Sequence, residues 1–226
     1  MHVELLYHTP DPERAIATAA RLCYAPVGAA ELMETMPEER VRSVLATVIK
    51  SGHLSTLEHA SYTFAVDGVS RALTHQLVRH RIASFNQQSQ RYVKFKDGVA
   101  VVKPESVAAA PETEAVFDEA IEACVAAYQK LLDAGVPAED ARYLLPNAAE
   151  SKIVVTMNVR ELLHFFSLRC CNRAQWEIRE MAHRMLELAR PTAPFVFADA
   201  GAPCVRGACP EGKMTCGNPY PKVVRD

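Results

Sequence analysis

Gln76-Leu77-Val78-Arg79-His80-Arg81-Ile82-Ala83-Ser84-Phe85-Asn86-Gln87-Gln88-Ser89-Gln90-Arg91-Tyr92 passes from an apolar run into a segment dense in hydrogen-bond donors. Three arginines and a histidine are joined by serine, asparagine and glutamine side chains, and the run holds no carboxylate. Guanidinium forks match phosphate and carboxylate geometry and stay charged at any working pH. The segment therefore reads as an anion-binding surface. It could be a solvated helix end, a nucleic-acid patch or a small-molecule site.

Working outward, Ser61 to Val66 reads as a strand with Tyr62, Phe64 and Val66 on one face. Asp67-Gly68 is expected to turn it. Ser70 can cap a helix whose apolar stripe is Leu73, Leu77 and Val78, so that Gln76, Arg79 and His80 fan around the other faces. After Ile82-Ala83 the pattern breaks into an expected loop.

Upstream, His2 to His8 alternates as a strand, and Asp11-Pro12 caps a helix running to Cys23. Pro37 opens a helix that Gly52 ends. Downstream, Val99 to Val102 is a short strand candidate, and Pro111 to Ala134 is a long helix terminated by Gly135. Pro137 to Pro146 forms a short helical turn bearing Arg142. Ile153 to Met157 is β-branched and reads as a strand. Asn158 to Cys170 returns to helical spacing, and a last helix runs from Asn172 to about Ala189. Helices outnumber strands without strict alternation, which favours α+β over a doubly wound sheet. With no repeat, low-complexity segment or linker, residues 1–200 are expected to form a single domain followed by a cysteine-containing tail, 201–226.

Composition narrows function. A chain of 226 residues, 49% apolar and 23% charged, can bury a full core. A net charge of −2 argues against a general nucleic-acid binder, although a noncatalytic protein binding nucleic acid through the Arg-His-Arg patch stands as the alternative reading. The N-terminus lacks a signal-peptide plan, and no apolar run reaches the roughly 18 to 20 residues that span a bilayer. A soluble cytoplasmic protein is expected, free of membrane association. Seven cysteines then read as mostly reduced thiols.

No G-x-G-x-x-G or P-loop is present, so a nucleotide would have to be held by side chains and loop amides. Gly52 to His59 places a carboxylate between two histidines. A metal site and a polar turn with a capping serine both fit it, although the spacing is not His-Glu-x-x-His. Cys204, Cys209 and Cys216 are separated by four and six residues, without the paired Cys-x-x-Cys of a zinc motif. They could ligate a metal or form a reduced or oxidised tail; no metal is assigned. His53, His59, His80 and His164 could be bases or structural groups.

Arg79-His80-Arg81-x-x-Ser84-x-Asn86-x-x-Ser89-x-Arg91-Tyr92 resembles the signature of the flavin-dependent thymidylate synthases. A second match is Asn158-Val159-Arg160-Glu161-Leu162-Leu163-His164-Phe165-Phe166-Ser167-Leu168-Arg169, followed by Ala174 to Arg179. A third runs from Gly52-His53 to Glu58-His59. Together they extend from about His53 to Arg179.

The resemblance implies helices around a mainly antiparallel sheet. It also implies a homotetramer with sites at subunit interfaces, using FAD, NADPH, methylenetetrahydrofolate and dUMP. His53, Ser55, Arg79, His80, Arg81, Gln87, Asn158, Val159, Arg160 and His164 would then contact FAD. Gln76, Leu77, Val78, Arg79, Gln87, Gln88, Ser89, Gln90, Arg91, Arg142 and Arg169 would hold dUMP. The chain departs from some family members at Gln87, where they carry Glu, so the local charge differs.

On the same basis Arg169 is expected to act in catalysis, stabilising charge that develops on the N3–C4=O side of uracil, and His53 to lie near the flavin ring. Ser89, Cys170 and Cys171 are tempting nucleophiles. None sits in a Ser-His or Cys-His arrangement, and a hydride route makes a protein nucleophile unnecessary. Ser89 reads better as a phosphate donor and the cysteines as packing residues.

Overall fold

The computed structural model describes residues 1–95 and 98–223, so the last three residues of the expected tail lie outside it. In chain order, its elements are β1 (His2–His8), α1 (Pro12–Leu22), α2 (Ala29–Thr35), α3 (Glu38–Ser51) and a 3-10 turn at Leu54–His59. There follow β2 (Ser61–Ser70), α4 (Arg71–Leu77), β3 (Ala83–Gln87), α5 (Glu105–Ala108), α6 (Pro111–Asp133) and α7 (Ala138–Ala141). β4 (Glu150–Asn158), α8 (Val159–Arg169) and α9 (Trp176–Ala189) complete the strands and α-helices of the described residues.

The strands form one sheet in the order β1-β2-β4-β3. Its central pair is antiparallel. Val159 donates its N–H to Ala60 at one end, the hydroxyls of Thr63 and Thr156 meet at 2.8 Å, and Arg71 donates to Ala149 at the other end. Partner numbers fall as strand numbers rise, as an antiparallel ladder requires. The fold is α+β. No helix among the described residues is long and apolar enough to cross a membrane.

The chain forms two compact units, each discontinuous in sequence. The first comprises Met1–His2, Val66–Arg79 and Asn86–Ile153; the second comprises Val3–Ala65, His80–Phe85 and Val154–Asp226. In the first, Val66, Val69, Leu73, Leu77, Tyr128 and Ile153 are buried. In the second, Ile16, Leu45, Phe64, Phe165, Met181 and Met185 are buried around an aromatic chain. There Tyr62 meets Phe197 edge-on at 5.6 Å, and Phe197 meets Phe166 at 6.1 Å. The Tyr62 hydroxyl bonds Thr192 at 2.7 Å, and burial pushes its pKa up to about 12.

Local signals placed several helix ends. Ser70 accepts from the Leu73 N–H at 3.0 Å, and Asn158 accepts from Glu161 at 2.9 Å. Gly52 takes φ +69 at the end of α3, the left-handed conformation that ends a helix with least strain in glycine.

Other expectations need correction. Asp67-Gly68 does not turn the chain; β2 runs on to Ser70 with Gly68 at φ +67 inside it, as a glycine at a bulge does. Thr63 is buried along with Tyr62 and Phe64, so both faces of that strand are covered. The expected loop after Ala83 is the edge strand β3, whose polar composition conceals it. Val78 caps the end of α4 and is 45% exposed, so it leaves the apolar stripe. His80 lies beyond that helix and is buried rather than fanned on its surface. Val99–Val102 contributes only a bridge from Val101 to Ala149. The last helix starts at Trp176, capped by Gln175, and α2 had no sequence counterpart.

Candidate active site

The implied site residues divide between the two units, and the Arg79-His80-Arg81 run is itself divided, with Arg79 in the first unit and His80 and Arg81 in the second.

In the first unit, a group of arginines gathers at α7. Arg91 places Nε and Nη2 each 2.8 Å from Glu139 Oε2. Arg142 donates from Nε to the Glu139 main-chain carbonyl at 3.0 Å. Arg71, at the start of α4, is held below the usual arginine pKa by burial and by the charge of Arg142. Three guanidiniums thus share one neighbourhood. The sequence pointed to Arg91 and Arg142 but not to Arg71, which lies 20 residues from Arg91 and outside the three family motifs.

Around them, Gln87 donates its amide to Thr74 Oγ1 at 3.1 Å and to Ser151 Oγ at 2.9 Å, an anchoring role. A glutamate there could not donate. Gln88 pairs through its N–H with the Lys152 carbonyl. Ser89 Oγ accepts from the Arg91 N–H at 3.2 Å, fixing the turn that carries Arg91. Gln90 is buried, Gln76 half-buried, and Arg79 exposed. The Leu77 side chain lies in the core, so its main chain is what remains to meet a ligand.

In the second unit, α8 organises the groups. Asn158 caps it, the Val159 side chain is buried, and Arg160 pairs with Glu58 at 2.6 Å on the surface. His164 is exposed, and Arg169 occupies the last turn. His80 Nδ1 lies 3.0 Å from Glu161 Oε1, and Arg169 donates from Nε to His80 Nε2 at 3.0 Å. The His80 ring meets Phe165 edge-on at 4.9 Å and His164 at 5.9 Å. Burial lowers the pKa of His80, the Glu161 hydrogen bond opposes that, and the Arg169 charge reinforces it. Burial also lowers Arg169 from the usual arginine range. Glu161 lies inside the second motif, whose pattern alone gives no sign of this contact.

His53, Ser55 and Thr56 line a cleft of about 330 Å³ with Arg21, Tyr24 and Arg40 from α1, α3 and the residues after α1. These last three went unrecognised because only folding brings them to the 3-10 turn. Among the described residues, no group of three or more His, Cys, Asp or Glu is arranged to hold a metal ion.

The tail packs within the second unit. Tyr220 donates to Asn172 Oδ1 at 2.7 Å, and Asn172 donates to the Asn218 carbonyl at 2.8 Å. Cys171, Cys204, Cys209 and Cys216 border a cavity of about 280 Å³ there with Arg169 and Arg173, and all four are free thiols. Burial pushes the Cys170 thiol up to about 12, which keeps it protonated and a poor nucleophile.

A family model described as thymidylate synthase complementing protein matches residues 4–195. A flavin-dependent thymidylate synthase from Geobacter sulfurreducens is 60% identical over 218 residues, covering 96% of this chain and 94% of that protein. One from Clostridium tetani is 48% identical over 231 residues, covering 95% of this chain and 92% of that protein. The crystal structure of the UMP/dUMP methylase PolB from Streptomyces cacaoi, bound with 5-Br dUMP, superposes with a TM-score of 0.77 at 27% identity. It covers 87% of this chain and 93% of that one. With its three motifs, its α+β fold and relatives matched along nearly their whole length, the chain belongs to the flavin-dependent thymidylate synthase family.

Proposed function

We propose that the protein converts dUMP to dTMP, with FAD as its flavin, methylenetetrahydrofolate as one-carbon donor and NADPH as reductant, and that it works as a homotetramer. The observation that carries this is the setting of Arg169, a half-buried guanidinium of the family's second motif tied through Nε to His80, the buried histidine of the first.

In the first unit, Arg71, Arg91 and Arg142 suit the dianionic phosphate of dUMP, with Ser89 setting the turn. The phosphate would take the place of the Glu139 carboxylate on Arg91. In the second unit, the cleft at His53 suits FAD in its donor chemistry. Arg21 and Arg40 match a diphosphate, Ser55 and Thr56 offer hydroxyls, and Tyr24 offers a flat face. Bound flavin supplies the hydride that completes the methyl group.

Arg169 supplies positive charge and N–H donors toward the uracil N3–C4=O side as negative charge grows there. Donors fixed beforehand in a partly desolvated setting need no reorganisation at the moment of reaction. Its lowered pKa comes from burial, and a guanidinium remains charged there. Cys170, held protonated, takes no part.

The test is direct. Purified protein should show a flavin spectrum that bleaches with NADPH and should release tritium from C5-labelled dUMP. Arg169→Ala should retain FAD and lose nearly all dTMP formation. A colourless protein that cannot be reconstituted with FAD would sink the proposal, and normal turnover in Arg169→Ala would remove that residue from the mechanism.

A further inference from the structure

We infer that Glu161 is a positioning residue for Arg169, acting through His80. The inference rests on the role proposed above for Arg169. Glu161 is 6% exposed and His80 4% exposed, an acid and an imidazole in a largely apolar interior. Burying such groups is unfavourable unless they are fully partnered, and here they partner each other.

A guanidinium carries donors and no acceptor. Because Arg169 Nε donates to His80 Nε2, that nitrogen must present its lone pair. The ring proton therefore resides on Nδ1 and is donated to Glu161 Oε1, 3.0 Å away. His80 is the neutral Nδ1–H tautomer, and both its ring nitrogens are engaged. Phe165 fixes the plane of the ring from one side.

The carboxylate performs two tasks in this chain. It selects the tautomer, since a proton on Nε2 would face the N–H of Arg169 and break that bond. It also polarises the imidazole, making Nε2 a stronger acceptor. A carboxylate that orients a metal-bound histidine works by the same logic, with a guanidinium here in the metal's place. Asn158, capping the first turn of α8 on the Glu161 N–H, holds the backbone from which the carboxylate projects. The titratable groups facing the His80 ring are Glu161, Arg169 and His164.

A carboxylate that merely stapled His80 to α8 would affect folding and leave Arg169 alone. The two roles separate experimentally. Glu161→Gln keeps an acceptor of the same reach, whereas Glu161→Asp withdraws it by one methylene. Glu161→Ala removes it. Nitrogen-15 NMR of histidine-labelled protein should show His80 protonated on Nδ1 in wild type and in Glu161→Gln, with that signature lost in Glu161→Ala.

In FAD-loaded protein, Glu161→Ala and Glu161→Asp should lose about 10- to 100-fold in kcat with little change in the KM for dUMP, and Glu161→Gln should stay within a few-fold of wild type. Should Glu161→Ala fail to fold, the Asp and Gln pair decides. Wild-type His80 protonated on Nε2 overturns the inference whatever the activity, as does unchanged kcat in a folded Asp or Ala variant. A wild type that shows the Nδ1–H signature and makes no dTMP would instead overturn the proposed function.

Discussion

Glu139 meets two arginines in different ways, and the difference predicts how each behaves. Arg91 meets its carboxylate, whereas Arg142 meets its main-chain carbonyl. A phosphate must therefore compete with the carboxylate for Arg91 and not for Arg142. Arg91→Ala should weaken dUMP binding about 10- to 100-fold, the worth of roughly 1.5–3 kcal/mol for a hydrogen bond to a charged group. Glu139→Gln should tighten it by removing the competing charge. Arg71→Ala should also weaken binding, because Arg71 adds positive potential beside Arg142. Calorimetric titration of dUMP into each variant checks all three. Unchanged affinity in Arg91→Ala would move the phosphate elsewhere. Gln87 belongs to this scale too, since its amide is committed to Thr74 and Ser151, a use that an ionised glutamate at this position cannot reproduce.

Among the elements, α8 gathers the second unit's chemistry because its period sorts residues by face. Glu161, Phe165 and Phe166 turn inward, while Arg160, His164 and Leu168 remain exposed. Arg169 in its last turn also faces the negative end of the helix dipole, a favourable place for a cation. The 3-10 turn bearing Ser55 depends instead on how α3 ends. Gly52 adopts φ +69 there, and an added Cβ would find nothing within 4 Å. Any penalty for a side chain at that position is thus purely a backbone one. Gly52→Ala should lower the unfolding free energy by about 1–2 kcal/mol, read from urea denaturation. A variant as stable as wild type would show that the left-handed conformation is not retained.

For the whole molecule, a buried histidine, His80, and a half-buried one, His183, contribute to the response to acid. His80 and His183 both have pKa values below the ordinary 6.5, first through burial. The unfolded chain takes up protons at these sites before the folded chain does. Their contribution to stability is therefore present above pH 6.5 and is lost as pH falls below it. The urea midpoint should drop between about pH 7 and about pH 5, and less steeply in His183→Asn. An equal slope in that variant would exclude His183 as a contributor. The acid response links distant segments, since His183 meets Tyr220 of the tail at 3.2 Å. Folding also explains why no linker was legible. Both compact units are assembled from separated pieces of chain, so neither has a single boundary in sequence.

What the sequence determined by itself is what lies within a helical turn or two. Asp11, Ser70 and Asn158 cap helices, Gly52 and Gly135 mark ends, and the arginine-rich and α8 motifs announce the family, all through groups at most a few residues apart. Tertiary structure decided the rest. It made a strand of Ala83–Gln87, carried β2 past Gly68 and brought Arg71 to Arg142. It also buried His80 between Glu161 and Arg169, partners 81 and 89 residues away in sequence. Capping and periodicity arise from neighbouring backbone groups and can be read locally. The partner of a buried polar group is set by which distant segments fold against it, and no local pattern carries that.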